Sequence, residues 1–442
     1  MATVKLRKGR DLPLQGGLAD QTIAQASPCN RFAIVPDDFY GIVPRMDKRS
    51  GDHVQAGEVL YHDKNHECIK VVAPVGGTIE AVQRGERRKI EAIVIEREGD
   101  KQPLKHDVKR PVRDLLLESG LWVMLRQRPY DVVPDPDVRP RDIFVTAFDS
   151  APLAPSLMTV LGDLKQYLAE GVKALQSLTD GKVYVGVKAG EDFAIDGAEV
   201  TAFDGPHPAG NVGVQIANIK PVNKGEVVWT LDVVTLARIG QLMTTGTVTH
   251  DTVVALTGSQ VNHPHMVRAT MGCSMTSLLD GQLAEDNLQS RVICGNVLTG
   301  VKVPADGWLR APYRHVTVIP EVNDPDEFMG WAALSPRRFS LYRTFTSWLL
   351  GNRQKVKFDA RIKGGERAIV RLDEYDDMLP MDIYAEFLIK AIIAFDIDKM
   401  EQLGIYEVAP EDFALAEFAD TSKLELQRIV REGLDRMRSE MA

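Results

Sequence analysis

Cysteine is scarce and scattered. Cys29, Cys68, Cys273 and Cys294 are the only four among 442 residues, and no two form a Cys-x-x-Cys pair. Iron–sulfur and structural zinc sites are normally anchored by such local pairs, so the spacing argues against both. Four unpaired thiols fit a reducing cytoplasm. Long apolar runs are missing too. The best stretch, Phe387–Ile397, is interrupted by Lys390 and Asp396, whereas a bilayer span needs about 18–20 apolar residues. The opening Met1-Ala-Thr-Val-Lys-Leu-Arg-Lys-Gly9 has no apolar segment of the secretory kind, so a soluble chain is expected, with any membrane attachment running through a partner. Clustered positive charge is also lacking. The net charge is -9, which excludes a broad nucleic-acid footprint. The short basic runs Arg84–Lys89 and Arg337–Arg338 read as solvated faces. Neither a Walker loop nor a Gly-x-Ser-x-Gly elbow occurs. The nearest approach to a dinucleotide fingerprint, Gly205-Pro-His-Pro-Ala-Gly210-Asn-Val-Gly213, has a different spacing, and Pro206 and Pro208 stiffen it.

What is present is an ordinary folded composition, 44% apolar and 26% charged, on a chain long enough for two to four domains. Residues 30–105 read as short strands (Phe32–Val35, Val54, Val59-Leu60, Ile69–Val72, Thr78–Val82, Ile90–Ile95) separated by glycine turns, the pattern of a small β-sandwich or barrel. An amphipathic helix is expected over 111–126. Pro129, Pro134, Pro136 and Pro140 then mark a linker or domain boundary. From Asp142, strands at Ile143–Phe148, Val183–Val187, Val200–Phe203, Val227–Leu231 and Thr252–Leu256 alternate with helices over Leu153–Leu178 and through Ala237 and Leu242. That alternation predicts an α/β sheet with parallel pairs. Residues 258–320 return to short strands, a small α+β module. Helical periodicity follows from about Phe339, with Ile383, Phe387, Leu388, Ala391, Ile392 and Phe395 on one face, and Ser422 with Glu425 suggests a capping box before the last helix.

Few motifs carry chemistry. Gly51-Asp-His-Val-Gln-Ala-Gly57 followed by Ala73-Pro-Val-Gly-Gly77 resembles the biotinyl/lipoyl carrier fold. The nearest carrier lysine is Lys64, which lies out of the usual register. His62, His66 and Cys68 share a strand face by period two and make a three-ligand zinc candidate, against the plainer reading of a polar surface hairpin. His207 is either a donor to a quinone carbonyl or a turn histidine. His263-Pro-His265 and Met271-Gly-Cys273 sit on the small α+β module, and the histidines paired around Pro264 read as a turn rather than a metal site. Asp373-Glu-Tyr-Asp-Asp377 reads as a helix-capping or solvated loop. No catalytic residue, cofactor-binding residue or metal ligand set is singled out.

Taken in order, several segments resemble the A subunits of the Na⁺-translocating NADH:quinone oxidoreductases. They are Lys8–Leu14, Ala73–Gly77, Leu121–Pro129, His207–Gly213, Ile239–Gly246, Val254–Val261, Met378–Ile383 and Glu411–Leu415. The resemblance implies a multidomain α+β and α/β chain. Its parts would be an N-terminal segment with a barrel-sandwich domain (1–105), a Rossmann-like α/β domain (106–257), a β-grasp, SLBB-like module (258–320) and a C-terminal helical domain (321–442). It also implies a subunit of a respiratory-chain translocase that couples NADH oxidation and quinone reduction to outward Na⁺ transport. Such a subunit is cytoplasmic and peripheral to the inner membrane, held by membrane and flavin-bearing partners that carry the NADH site, flavins and iron centres. This chain is then a scaffold or quinone-side subunit without its own redox cofactor, inactive alone, with quinone (ubiquinone, for instance) the one ligand left open. The chain is also distantly similar to the flavin- and NADH-binding subunit of respiratory complex I and to the C subunit of the related Rnf complex. Where those relatives have a glycine-rich flavin loop, this chain has Pro129–Pro140. Where they place cluster cysteines, Ala414–Lys423 has none: Ala416 and Asp420 stand where close family members have cysteine, and alanine cannot bind iron. Two alternatives stay open: a complex I-like flavin/NADH-binding subunit, and a lipoyl or biotinyl carrier modified at Lys64.

Overall fold

The computed structural model describes residues 2–99, 102–191, 193–284, 289–322, 338–342, 345–346, 349, 355–369 and 373–441. Arg337 and much of the stretch after Glu321 lie outside these. Among the described residues, no helix is long and apolar enough to cross a membrane.

Two small antiparallel sheets form the first layer. One orders Arg31–Ile34, Ile90–Arg97, Gly77–Arg84 and His53–Val54; the other orders Pro44–Met46, Val59–Asp63 and Lys70–Val72. Their inward residues, among them Phe32, Leu60, Ile79, Ile93 and Ile95, are buried together, as alternation along half-buried strands requires. Arg84–Lys89 is largely exposed, as expected of a solvated face.

The next layer is a six-stranded sheet. Asp142–Thr146 lies between Val183–Lys188 and Val228–Asp232, parallel to both, and Glu199–Asp204 follows parallel beyond Val183–Lys188. Both edges come from elsewhere: Ala2–Lys5 joins parallel to Glu199–Asp204, and Arg126–Arg128 pairs antiparallel with Val228–Asp232. Ile143 and Val145 share a core with the helices Leu168–Gln176 and Val233–Thr245, while Phe144 packs beside Ile216 of the helix Val212–Ile219. Helices therefore cover both faces, which explains the unbroken apolar run Ile143-Phe-Val. The single helix expected over Leu153–Leu178 is in fact three pieces, Leu157–Leu161, a 3₁₀ turn Gly162–Tyr167, and Leu168–Gln176. Gly162, with φ 48°, marks the break.

A second six-stranded sheet runs Val301–Val303, Ser290–Cys294, His315–Pro320, Asp251–Thr257, His265–Thr270, Ile23–Gln25. Its two central strands, Asp251–Thr257 and His315–Pro320, are parallel, and the edge strand Ile23–Gln25 comes from the N-terminal segment. The C-terminal helices Ala385–Ala394, Ile397–Gln402, Ala414–Ala419 and Leu426–Met441 enclose their own core.

Four local readings need correction. The helical stretch expected from about Phe339 lies partly outside the described residues; within them, 355–369 and 373–384 are not helical and the α-helix starts at Ala385, as Gly364-Gly365 and Pro380 disfavour helix before it. On that helix Phe387 is 52% exposed instead of buried, because the inward stripe runs through Ala385, Leu388, Ile389 and Ile392. The proline-rich stretch is a packed strap, not a free linker. Trp122 Nε1 donates to Pro134 O (2.9 Å), and Val133 N donates to Tyr40 O (2.9 Å). Prolines carry no N–H to satisfy, so such a strap can be buried. Finally, the Ser422–Glu425 capping box does not form. Ser422 Oγ donates to Ala368 O (3.2 Å), and the helix start is held by Glu417, whose carboxylate accepts from Gln427 N (2.8 Å).

Leu12 and Leu14 lie in the core of the C-terminal helices, 7% and 3% exposed. Leu14→Ala should therefore cost about 2–5 kcal/mol. Chemical denaturation would measure the loss, and hydrogen exchange should show it first in Ala385–Ala394 rather than in the β layers.

Candidate functional site at the carboxyl ends of the parallel strands

Open parallel sheets bind ligands outside the carboxyl ends of their strands, where the connections diverge to opposite faces. In this chain that place lies beyond Thr146, Lys188, Asp204 and Asp232. The loop after Asp204 folds back over it. His207 is 2% exposed; its Nδ1 lies 3.0 Å from Ser150 Oγ, which in turn accepts from Gly210 N (2.8 Å). Gln215 Nε2 donates to Thr146 Oγ1 (3.0 Å) and Gly210 O (3.3 Å). The N-terminal segment seals the loop from outside: His207 N donates to Asp11 Oδ1 (2.9 Å), and Arg10 N donates to His207 O (2.7 Å). Gly9 makes that approach feasible. Its φ is 104°, and a Cβ there would lie 2.3 Å from His207 O. Burial holds His207 down to about 4, partly opposed by Asp11, so the ring is neutral at neutral pH.

The strongest electrostatic feature closes the same crevice. Arg128 and Asp412 both have fully buried side chains, and Nη1 donates to Asp412 Oδ2 at 2.7 Å. Nη2 donates to Glu411 Oε1 at 2.9 Å. Asp412 also accepts from Ala409 N (2.8 Å). Its carboxylate sits against the amino end of the helix Val212–Ile219, where a Cβ on Gly213 would lie 2.4 Å from Oδ1. Only glycine admits it. Lost solvation, reinforced by Asp412 beside it, raises the Glu411 carboxyl above the ordinary range, with Asp149 adding to the same effect. Sequence reasoning missed Arg128, Asp412, Gln215 and Ser150. Arg128 meets Asp412 across 284 positions, and no local signal separates either residue from its charged neighbours.

The residues singled out from sequence do not converge. His62 alone lies on a strand, with Nδ1 2.8 Å from Asp47; His66 and Cys68 lie in the turn beyond, and His66 Nδ1 lies 3.2 Å from Asp63. The shared strand face is thus not formed, because the buried Asp63 bends the chain by accepting from Val43 N (2.8 Å) and His66 N (3.1 Å). No group of three or more His, Cys, Asp or Glu among the described residues is placed to hold a metal ion. Lys64 is exposed in the six-residue connection between Val59–Asp63 and Lys70–Val72. His265 opens the strand His265–Thr270, and its Nδ1 lies 2.6 Å from His263 O in the bend before it. Met271-Gly-Cys273 joins the second sheet to the first layer, with Ala33 N donating to Gly272 O (2.8 Å). The acidic run 373–377 is no solvated loop: Glu374 and Tyr375 are buried, and Tyr375 N donates to Glu386 Oε1 (2.8 Å). Ala416 is fully buried. Asp420 caps the loop after its helix, accepting from Ser422 N and Leu424 N at 2.8 Å each.

Comparison with known proteins follows the same layers. Family models match residues 4–98 (NqrA N-terminal barrel-sandwich hybrid domain), 108–248 (NqrA second alpha/beta domain) and 253–305 (NQRA C-terminal domain). The A subunit of the Na(+)-translocating NADH-quinone reductase of Yersinia pestis bv. Antiqua is 36% identical over 450 residues, covering 99% of this chain and all of that protein. The chain belongs to that family. The A subunits of Saccharophagus degradans and Neisseria meningitidis serogroup C are 35% and 34% identical, also over 99% of this chain and the whole of each relative. The family is that of a sodium-translocating oxidoreductase acting on NADH and quinone, and the N-terminal layer is its barrel-sandwich domain. Among solved structures, a chain of an NAD⁺-reducing [NiFe]-hydrogenase in the H₂-reduced state matches with TM-score 0.35 and 11% identity over 49% of this chain and 48% of that one. That likeness is too low to carry an argument.

Two outcomes are expected at the crevice. Arg128→Met leaves Asp412 buried and unpaired, which should cost about 3–5 kcal/mol; adding Asp412→Leu should restore part of it, since removing both charges of a buried pair is far cheaper than removing one. A double-mutant cycle by urea denaturation measures this. The second outcome concerns acid. Burial depresses His207 to about 4 and His250 and His315 to about 3, whereas the unfolded chain binds these protons near about 6.5. Their contribution is complete above that value and is lost as pH falls toward 4. Between pH 6.5 and 4.5, unfolding of His207→Gln should therefore take up about one proton fewer than the parent, as read from the slope of stability against pH.

Proposed function

We propose that the chain is a peripheral subunit on the cytoplasmic side of the Na⁺-translocating reductase, a scaffold or quinone-side component with no redox cofactor of its own. The observation that carries this reading is the filled crevice. Gln215 and His207 fill the carboxyl ends of the parallel strands through Thr146, Gly210 and Ser150, and Asp412, paired with Arg128, lies against the first turn of the helix Val212–Ile219. Ala416, buried in a helix where iron ligation needs a thiolate, supports the same reading. On this view NADH, flavins and iron centres sit on partner subunits, and membrane subunits hold the chain in place.

The finer architecture is part of the proposal. The parallel order of the α/β sheet, with its first strand central and helices on both faces, supports a Rossmann-like domain over 106–257. The mixed sheet with two parallel central strands supports a β-grasp module over 258–320. The helices from Ala385 onward support a helical domain within 321–442.

The test is to tag this chain, isolate it both within the detergent-solubilised complex and alone, and record visible spectra. Flavin-bearing and membrane proteins should co-purify with the tagged chain. The chain alone should be folded, colourless and unable to oxidise NADH. A folded preparation that is yellow or brown would overturn the cofactor-free reading, while a colourless chain that brings down no partners would overturn the scaffold role. A photoreactive quinone applied to the intact complex, with labelled peptides mapped, then decides the quinone side.

A further inference from the structure

Three of the four thiols meet where the first layer joins the second six-stranded sheet. Phe32 stands opposite Cys273 in an isolated antiparallel bridge, fixed on both sides by Ala33 N donating to Gly272 O (2.8 Å) and Ser274 N donating to Arg31 O (3.2 Å). Cys29 reaches the same point from the N-terminal segment. Its Sγ lies 3.0 Å from Arg31 O and 3.3 Å from Ser274 N. Two backbone bonds separate that nitrogen from the Cys273 Cα, which puts Cys29 Sγ within about 6 Å of that carbon. Rotation about the two Cα–Cβ bonds closes a gap of this size. Cys294 completes the cluster: its Sγ lies 3.6 Å from Trp308 O, and the next residue, Leu309, donates from N to Cys273 O (2.8 Å). Burial, reinforced by Cys29 and Cys294, raises the Cys273 thiol well above its ordinary value, so the sulfurs lie in one another's field.

The three differ in access. Cys273 and Cys294 are 3% and 0% exposed, whereas Cys29 is half-buried and keeps part of its surface in solvent. From this we infer that Cys29 and Cys273 form a hydroperoxide-sensitive thiol pair that closes to a disulfide across the junction. As thiolate, Cys29 attacks one peroxide oxygen. The O–O bond breaks, the other oxygen takes up a proton and leaves as an alcohol (water, for hydrogen peroxide), and Cys29 becomes the sulfenic acid. The N–H of Ser274 faces the sulfur and answers the charge that passes through it. Cys273, kept protonated by its surroundings, is a poor target for the oxidant and reacts with the sulfenic acid beside it. Its sulfur attacks that of Cys29, its proton leaves with the sulfenic hydroxyl as water, and the S–S bond forms. Two thiols are oxidised and one hydroperoxide is reduced. The bond ties the N-terminal segment to the turn after His265–Thr270. In a reducing compartment it is transient, and a thiol reductant reopens it.

The test exposes the full reduced chain to an equimolar amount of hydrogen peroxide, caps the remaining thiols with N-ethylmaleimide and maps unreduced peptides by mass spectrometry. The expected product is a linked pair of peptides carrying Cys29 and Cys273, lighter by two hydrogens, with Cys68 and Cys294 capped. Oxidation confined to Cys68, a bond from Cys273 to Cys294, or caps on both Cys29 and Cys273 would overturn the proposal. The oxidised chain should melt a few degrees above the reduced one, and dithiothreitol should reverse the rise. In Cys273→Ala, Cys29 should persist as the sulfenic acid and be trapped by dimedone. In Cys29→Ser, Cys273 should stay reduced; its oxidation there would count against the assigned order. Should either variant fail to fold, the peptide map of the parent chain decides alone.

Discussion

The buried pair between Arg128 and Asp412 is the constraint on which the arrangement of layers depends. A guanidinium and a carboxylate with no solvent exposure are tolerable only together, because either alone is a desolvated charge. Arg128 ends the edge strand beside Val228–Asp232, and Asp412 lies in the 3₁₀ turn Pro410–Phe413 that leads into the helix Ala414–Ala419. The two halves of the chain are thus registered at one point to hydrogen-bond precision. Around it weaker contacts add area. Arg431 of the last helix donates from Nη2 to Tyr130 O (2.5 Å) and lies 4.3 Å from the centroid of the Tyr40 ring, while Tyr40 Oη donates to Asp435 (2.5 Å). The proline strap is therefore held from both sides, by the barrel-sandwich layer and by the C-terminal helices.

The second integrating element is the N-terminal segment, which visits every layer before residue 35. Ala2–Lys5 extends the parallel sheet, Gly9–Asp11 seals the His207 loop, and Leu12 and Leu14 enter the helical core. Gln15 N and Pro13 O exchange hydrogen bonds with Val356 (3.0 and 2.7 Å), Gly258 N donates to Gly16 O (2.9 Å), and Ile23–Gln25 edges the second sheet. A thread of this kind contributes few buried side chains of its own. Its effect is to make the layers cooperative, because none can move away without stripping backbone hydrogen bonds from the thread.

These two features are also what the sequence conceals. Periodicity finds elements that bury a whole face, so the barrel-sandwich strands, the Ile143–Val145 strand and the helix at Val233–Thr245 are legible from composition and turns alone. Ala2–Lys5 and Ile23–Gln25 are short and mostly exposed edges, and their pairing is decided by partners about 200 and 240 residues away. Helix is over-read across the described residues 355–369 and 373–384 because apolar residues there serve irregular packing. The aromatic rings of Phe339, Phe358 and Phe418 meet at 5.6 to 6.4 Å between centroids without a regular element over the first two. At the crevice, the loop around His207 is visible as a glycine–proline motif. Its meaning is not, since it depends on Asp11 and Ser150 arriving from two other segments and on Gln215 folding back from the helix that follows.

The position of Asp412 bears on function more than any single motif does. The amino end of a helix carries partial positive charge and free N–H groups, and at the carboxyl edge of a parallel sheet that is where a nucleotide phosphate is normally received. Here the chain's own carboxylate rests against Gly213 at the start of Val212–Ile219, and its charge is already answered by Arg128. An anionic cofactor would have to displace Asp412 and separate it from Arg128. Each step opposes binding, and together they favour a role in which this crevice joins domains.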